Sequence, residues 1–119
     1  MRFQDLLAYK KSFELAMDIY KISHVFPKEE KYSLTDQIRK SSRSVCANIA
    51  EATRKRRYEK HFIAKLTDSD AENSETQVWL EFCLSCEYID REKFEFLNSK
   101  SIEVGKLLNY MMNNLDKFL

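Results

Sequence analysis

The stretch from Arg91 to Phe118, REKFEFLNSKSIEVGKLLNYMMNNLDKF, decides the fold. Phe94, Leu97, Ser101, Val104, Leu108, Met111, Leu115 and Phe118 recur at alternating intervals of three and four, which places them on one helical face. Asp90 stands in front as an N-cap. The pattern predicts a helix from about Arg91 to Lys117. Gly105 lies inside it at a cost of about 1 kcal/mol relative to Ala, which close packing or a local bend would explain.

The same alternation recurs upstream. Phe62, Leu66, Ser69, Asn73, Thr76, Leu80 and Cys83 predict a helix over about Tyr58–Glu87. The middle of this seam is polar. Buried hydroxyls and amides cost about 1–3 kcal/mol each without partners, so Ser69 and Asn73 are expected to bond to a facing helix, at groups such as Asn48 or Ser42, or to meet water. Leu34, Ile38, Ser42, Val45, Ile49 and Ala52 predict a helix over Leu34–Arg54, with Ser33 as N-cap and Asp36 three residues on. Its small residues, Ser41, Ser44, Cys46, Ala47 and Ala50, let neighbouring backbones come close on more than one face. Leu6, Tyr9, Phe13, Ala16 and Tyr20 predict the first helix, about Asp5–His24, ended by Phe26-Pro27. Short connections make sequential helices antiparallel. The expected fold is therefore all-α, an antiparallel up-down-up-down four-helix bundle forming a single domain over residues 1–119.

Composition agrees. The chain has one Gly and one Pro in 119 residues, too few for the turns of a sandwich or barrel and too few for a Gly-rich phosphate loop. Charged residues make up 33%, and no apolar stretch approaches the 18 or so residues of a membrane span. The opening MRFQDLLAYKK carries charge where a secretory signal needs an apolar run. With an odd count of three cysteines, these features predict a cytoplasmic protein.

No catalytic or metal constellation emerges. Di-iron bundles need Glu-x-x-His on two helices, but Lys21 and Tyr58 stand three residues before His24 and His61, the only histidines. Cys83 and Cys86 have C-x-x-C spacing without a second pair and read as small core or near-core residues. His61 belongs with the basic residues around it, and His24 suits a helix C-terminus. The expectation is no enzyme, no metal and no cofactor.

Charge is the informative feature. The net charge is +1, yet residues 39–65 hold nine basic and two acidic side chains, and residues 66–119 hold five basic and eleven acidic. The candidate site is Arg39, Lys40, Arg43, Arg54, Lys55, Arg56, Arg57, Lys60 and Lys65. Such a cluster attracts phosphates and releases counterions. Two plainer readings stand beside it: a solvated helix end favoured by the helix dipole, and a docking surface for the acidic segment of another copy. Tyr58 is the free aromatic near the patch, because Phe62 belongs to the core seam.

Several segments together, Phe3-Gln4-Asp5-Leu6, Phe26–Arg39 (FPKEEKYSLTDQIR), Ser44–Glu51 (SVCANIAE) and Asn73–Leu80 (NSETQVWL), are similar in order and spacing to a known family. It is the four-helix-bundle family encoded by intervening sequences in bacterial 23S rRNA genes, sometimes labelled a ribosomal protein. Ala52 stands where the family usually has Gly, and Ala71-Glu72 where it often has Gly-Ser, so the second and third helices are expected to run unbroken there. The resemblance implies a ring-like homopentamer. It also implies kinship with the accessory protein of diversity-generating retroelements, a basic pentamer that works with a reverse transcriptase and nucleic acid. Together these features predict a non-enzymatic, self-associating bundle that binds RNA or DNA through the basic segment. The alternative is a structural or adaptor oligomer whose partners are proteins.

Overall fold

The computed structural model covers residues 1–119. Four helices carry the chain: α1 (Leu7–Ser23), α2 (Leu34–Arg54), α3 (Glu59–Ser85) and α4 (Arg91–Asn113). Short 3-10 turns lie at Phe3–Asp5, Lys28–Glu30 and Leu115–Lys117. Each helix packs on its sequence neighbour, and α1 closes against α4, giving the expected antiparallel four-helix bundle, 44 × 25 × 20 Å.

The seams read from α2 and α3 are buried along their whole length, and α4 buries Leu97, Ser101, Val104, Leu108 and Met111 of its seam. The backbone of α4 leaves the helix at Asn114, whose side-chain amide donates to the Tyr110 carbonyl at 2.9 Å. Asn competes with helical bonding in this way, so Leu115 and Phe118 continue the seam from a 3-10 turn.

Helix α1 departs from the expected register. Leu6 is extended, so α1 starts at Leu7 and Asp5 belongs to the preceding turn. The helix buries Ala8, Ser12, Leu15, Ala16 and Ile19, while Phe13 is half exposed and Tyr9 and Tyr20 sit at the edge. Both faces of α1 carry apolar residues. Leu6 and Ala16 of the expected seam are buried, and Ser12 lies against α2, where the Cys46 thiol reaches its hydroxyl at 3.4 Å.

The core is two apolar clusters separated by a polar belt. One cluster, near the chain termini, is built on Val45, Ile49, Phe62, Leu66, Val104 and Leu108. The other, at the opposite end, is built on Leu15, Ile19, Ile38, Leu80, Cys83 and Leu97. Between them Ser69 Oγ donates to the Val45 carbonyl at 2.8 Å, and the Ser41 and Thr76 hydroxyls bond at 2.9 Å. Asn73 Nδ2 donates to the Ser101 carbonyl and Ser101 Oγ donates to Asn73 Oδ1, both at 2.8 Å. The polar seam residues are thus satisfied by Val45, Ser41 and Ser101; Ser42 instead bonds within α2, and Asn48 bonds to Ser44 of α2 and accepts from Lys65 of α3. A Cβ at Gly105 would lie 3.4 Å from Asn73 Nδ2, at the edge of ordinary van der Waals contact.

The end opposite the termini is tied by Glu30. Ser33 occupies the N-cap position of α2, but its hydroxyl donates to Glu30 Oε1 at 2.5 Å rather than capping the helix. The Leu34 N–H reaches the same oxygen at 3.4 Å, and the Tyr88 hydroxyl donates to Oε2 at 2.7 Å. Tyr88 is delivered by the end of α3, where Glu87 takes a left-handed conformation (φ 62) and the Tyr88 N–H closes on the Cys83 carbonyl at 2.9 Å. The hydrogen bonds from Ser33 and then Tyr88 hold the Glu30 carboxyl below the usual carboxylate range.

Two outcomes are expected. Asn73→Ala should destabilise the fold by about 1–3 kcal/mol in urea denaturation, and a double-mutant cycle with Ser101→Ala should show coupling between the two sites. Because the folded Glu30 carboxyl titrates lower than the unfolded one, its contribution is present above the unfolded pKa and lost as pH falls through the folded one. Glu30→Gln should therefore lower the urea midpoint at pH 7, and the gap from wild type should close as pH falls below the usual carboxylate range.

Candidate nucleic-acid interface

Antiparallel packing brings the N-terminal turn, the end of α2, the α2–α3 connection and the chain's last residues to one end of the bundle. There Arg2, Arg54, Arg56 and Arg57 line an open concavity of about 760 Å³, together with Phe3 and Thr53. No Asp or Glu side chain lines it. The ion pairs of the molecule are made by Lys11, Lys65 and Lys100, so none involves these arginines. Lys55 and Lys60 are exposed on the same connection and first turn. Arg54–Arg57 follow the carbonyl end of α2, whose partial negative charge favours cations. The Lys55 N–H closes that end on the Glu51 and Ala52 carbonyls, without a left-handed residue. The ring of Tyr58 is exposed beside this run, 5.4 Å from His61 and under the Arg57 guanidinium at 5.8 Å. Phe62, by contrast, is fully buried.

The nine sequence-derived positions do not form one continuous patch. Arg39, Lys40 and Arg43 lie 11 to 15 residues before Arg54, roughly 16–22 Å along the helix. Arg39 Nε donates to Ser23 Oγ at 2.7 Å, and its guanidinium stacks on Tyr20 at 5.0 Å, so it ties α2 to α1. Arg43 packs against the same ring at 5.6 Å. Lys40 and Arg43 also border a groove whose opposite wall carries Glu72 and Glu75. Burial, and then the neighbouring Glu75 carboxylate, raises the Glu72 carboxyl above its ordinary range. Lys65 is spent internally: Nζ lies 2.8 Å from Glu51 and 3.9 Å from Asp68, and donates to Asn48 Oδ1 at 3.5 Å. The hydrogen bond to Glu51 raises the Lys65 ammonium and lowers the Glu51 carboxyl. Arg2 was not a sequence-derived candidate. It stands 52 positions before Arg54, and only the antiparallel pairing of α1 with α2 signals their proximity.

A second surface lies along α1 and α2. Tyr9, Phe13, Met17, Cys46, Ala47 and Ala50 line an apolar groove of about 400 Å³, made possible by the small residues on the outer face of α2. Phe13 and Met17 are 50% and 38% exposed. Two of the three thiols are unreactive by burial, which pushes Cys83 up to about 12 and also raises Cys46. No group of three or more His, Cys, Asp or Glu side chains is placed to hold a metal ion. No helix is long and apolar enough to cross a membrane.

Comparison with known proteins gives the lineage. No curated protein matches the chain. A crystal structure from Bacteroides thetaiotaomicron, a protein of unknown function from the S23 ribosomal protein family, superposes with a TM-score of 0.80 at 36% identity, covering 89% of this chain and 98% of that one. Residues 4–110 match the family described as 23S rRNA-intervening sequence protein. With its sequence matched over that span and its four-helix bundle shared with the Bacteroides protein, the chain belongs to the 23S rRNA-intervening sequence protein family.

Proposed function

We propose that this protein is a non-enzymatic, self-associating cytoplasmic bundle that binds RNA or DNA through the basic end formed by Arg2, Arg54, Lys55, Arg56, Arg57 and Lys60. One observation carries the reading: four arginines converge on a concavity with neither an ion pair nor a lining Asp or Glu side chain. Unpaired cations held close together repel one another, and polyanionic phosphate relieves that repulsion while releasing counterions. Tyr58 adds an exposed ring on which a base can stack. Arg39 and Lys65 serve the fold, and Lys40 and Arg43 face carboxylates, so the basic end dominates binding. The resemblance to the retroelement accessory protein, which works with nucleic acid, supports the same reading.

Self-association rests on the apolar groove between α1 and α2, whose exposed Phe13 and Met17 gain from being covered. A ring of five copies is the arrangement that the family resemblance suggests. If proteins alone are the partners, this groove is the working surface and the basic end is solvated.

Replacing Arg54, Lys55, Arg56 and Arg57 together by Ala should weaken binding to a generic single-stranded RNA by tenfold or more at low salt. It should also reduce the salt dependence by about 3, at roughly 0.7 for each phosphate no longer neutralised. Arg39→Ala should lower the melting temperature yet leave the salt slope unchanged. Electrophoretic mobility shift with titrated salt reads both, and unchanged binding by the quadruple variant rejects the site. Light scattering over a range of concentrations should show a species larger than the 14.2 kDa chain, and Phe13→Glu should shift it towards monomer. A monomer at every concentration rejects self-association.

A further inference from the structure

The composition of the basic end narrows its ligand, on the assumption that this end binds nucleic acid at all. The cationic side chains lining the concavity, beside the terminal residues Met1 and Leu119, are all arginines, Arg2, Arg54, Arg56 and Arg57, while the lysines of the same run, Lys55 and Lys60, do not line it. A guanidinium presents a planar fork that pairs two N–H donors with two phosphate oxygens, whereas an ammonium acts as a point charge. Several forks converging on one hollow suit an anion with more than one charge and several free oxygens. A backbone phosphodiester carries a single charge, already shared between two oxygens. A terminal phosphomonoester carries about −1.5 to −2 near neutral pH and offers three oxygens.

Shape argues the same way. Reading base edges in a B-form DNA duplex uses a helix or ribbon that projects into a major groove about 12 Å wide. At this end of the bundle helices stop and connections cross, so the surface is hollow rather than projecting. At about 760 Å³ the concavity has the size of clefts that enclose small ligands. The exposed Tyr58 ring beside Arg57 is placed to stack on an unpaired base. We infer that the arginine-lined hollow receives the phosphate-bearing end of a single nucleic-acid strand, with the guanidinium forks on the terminal phosphomonoester and the adjoining strand running past Tyr58.

The test is fluorescence anisotropy on the full chain at fixed low salt. The probes are one single-stranded RNA of about 12 nucleotides carrying either a terminal phosphate or a hydroxyl at its unlabelled 5′ end, the same strand with the phosphate at its 3′ end, and the corresponding duplex. A strand with a terminal phosphate should bind about tenfold more tightly than its hydroxyl form, the factor expected from one charge-assisted hydrogen-bond pair. Replacing Arg2 and Arg56 together by Lys keeps the charge and removes two forks; it should abolish the preference for the phosphate end while retaining most of the general affinity. Circular dichroism checks that this variant is folded. If neither end phosphate improves binding, or the duplex binds more tightly than the single strands, the inference is overturned while the basic end stands as a nucleic-acid surface. If a nucleoside monophosphate displaces the strand at equal concentration, the assignment to a strand is overturned. If no probe binds, the nucleic-acid reading itself fails and this inference with it.

Discussion

The bundle depends on a belt of hydrogen-bonded polar side chains across its middle. Ser69, Asn73 and Thr76 of α3 meet Val45 and Ser41 of α2 and Ser101 of α4 in a layer closed to water. Apolar seams tolerate a slide of one turn, because leucine packs on leucine in either register. A hydroxyl or amide does not tolerate it, since each loses a partner and keeps its desolvation cost. The belt therefore sets the axial register of α2, α3 and α4. The two apolar clusters on either side supply the bulk of the burial.

Register has a consequence for charge. With the helices held in phase, the end of α2 and the start of α3 sit level with the N-terminal turn, and Arg2 joins Arg54, Arg56 and Arg57 around one hollow. Elsewhere the same packing ties cations to neighbouring helices. Lys65 meets Glu51, Lys100 is held by Glu14 and Asp18 across the α1–α4 contact, and Arg39 bonds to Ser23. Lys65, Lys100 and Arg39 thus join helices, while Arg2, Arg54, Arg56 and Arg57 share one end without an ion pair.

The opposite end is tied differently. Glu30 accepts hydrogen bonds from Ser33 and Tyr88, so the α1–α2 connection is fastened to the α3–α4 connection. Glu87 adopts a left-handed conformation, at a cost of about 1–2 kcal/mol for a residue other than Gly, and thereby directs the chain to Tyr88. One end is thus closed by internal hydrogen bonds, while at the other the arginine side chains make no ion pair.

Much of this was legible in the amino-acid order. The seams of α2 and α3 and most of that of α4 read true because their residues keep the three-four spacing of one helical face, and the capping of α4 by Asp90 reads from its position, with the Lys93 N–H donating to its carboxylate at 2.7 Å. The run from Arg54 to Arg57 stands out as charge, whatever the fold. The face of α1 was not legible, because Tyr9 and Phe13 look as buriable as Leu15 and Ile19 until the small residues of α2 leave room for only one set. Nor was the capping role of Glu30 or the place of Arg2. Periodicity along one helix records which side is apolar, and so the sequence alone determined four helices and their seams. Which neighbour each polar group meets, and which cations remain unpaired, depends on distances between segments far apart in the chain; these exist only once the helices have packed.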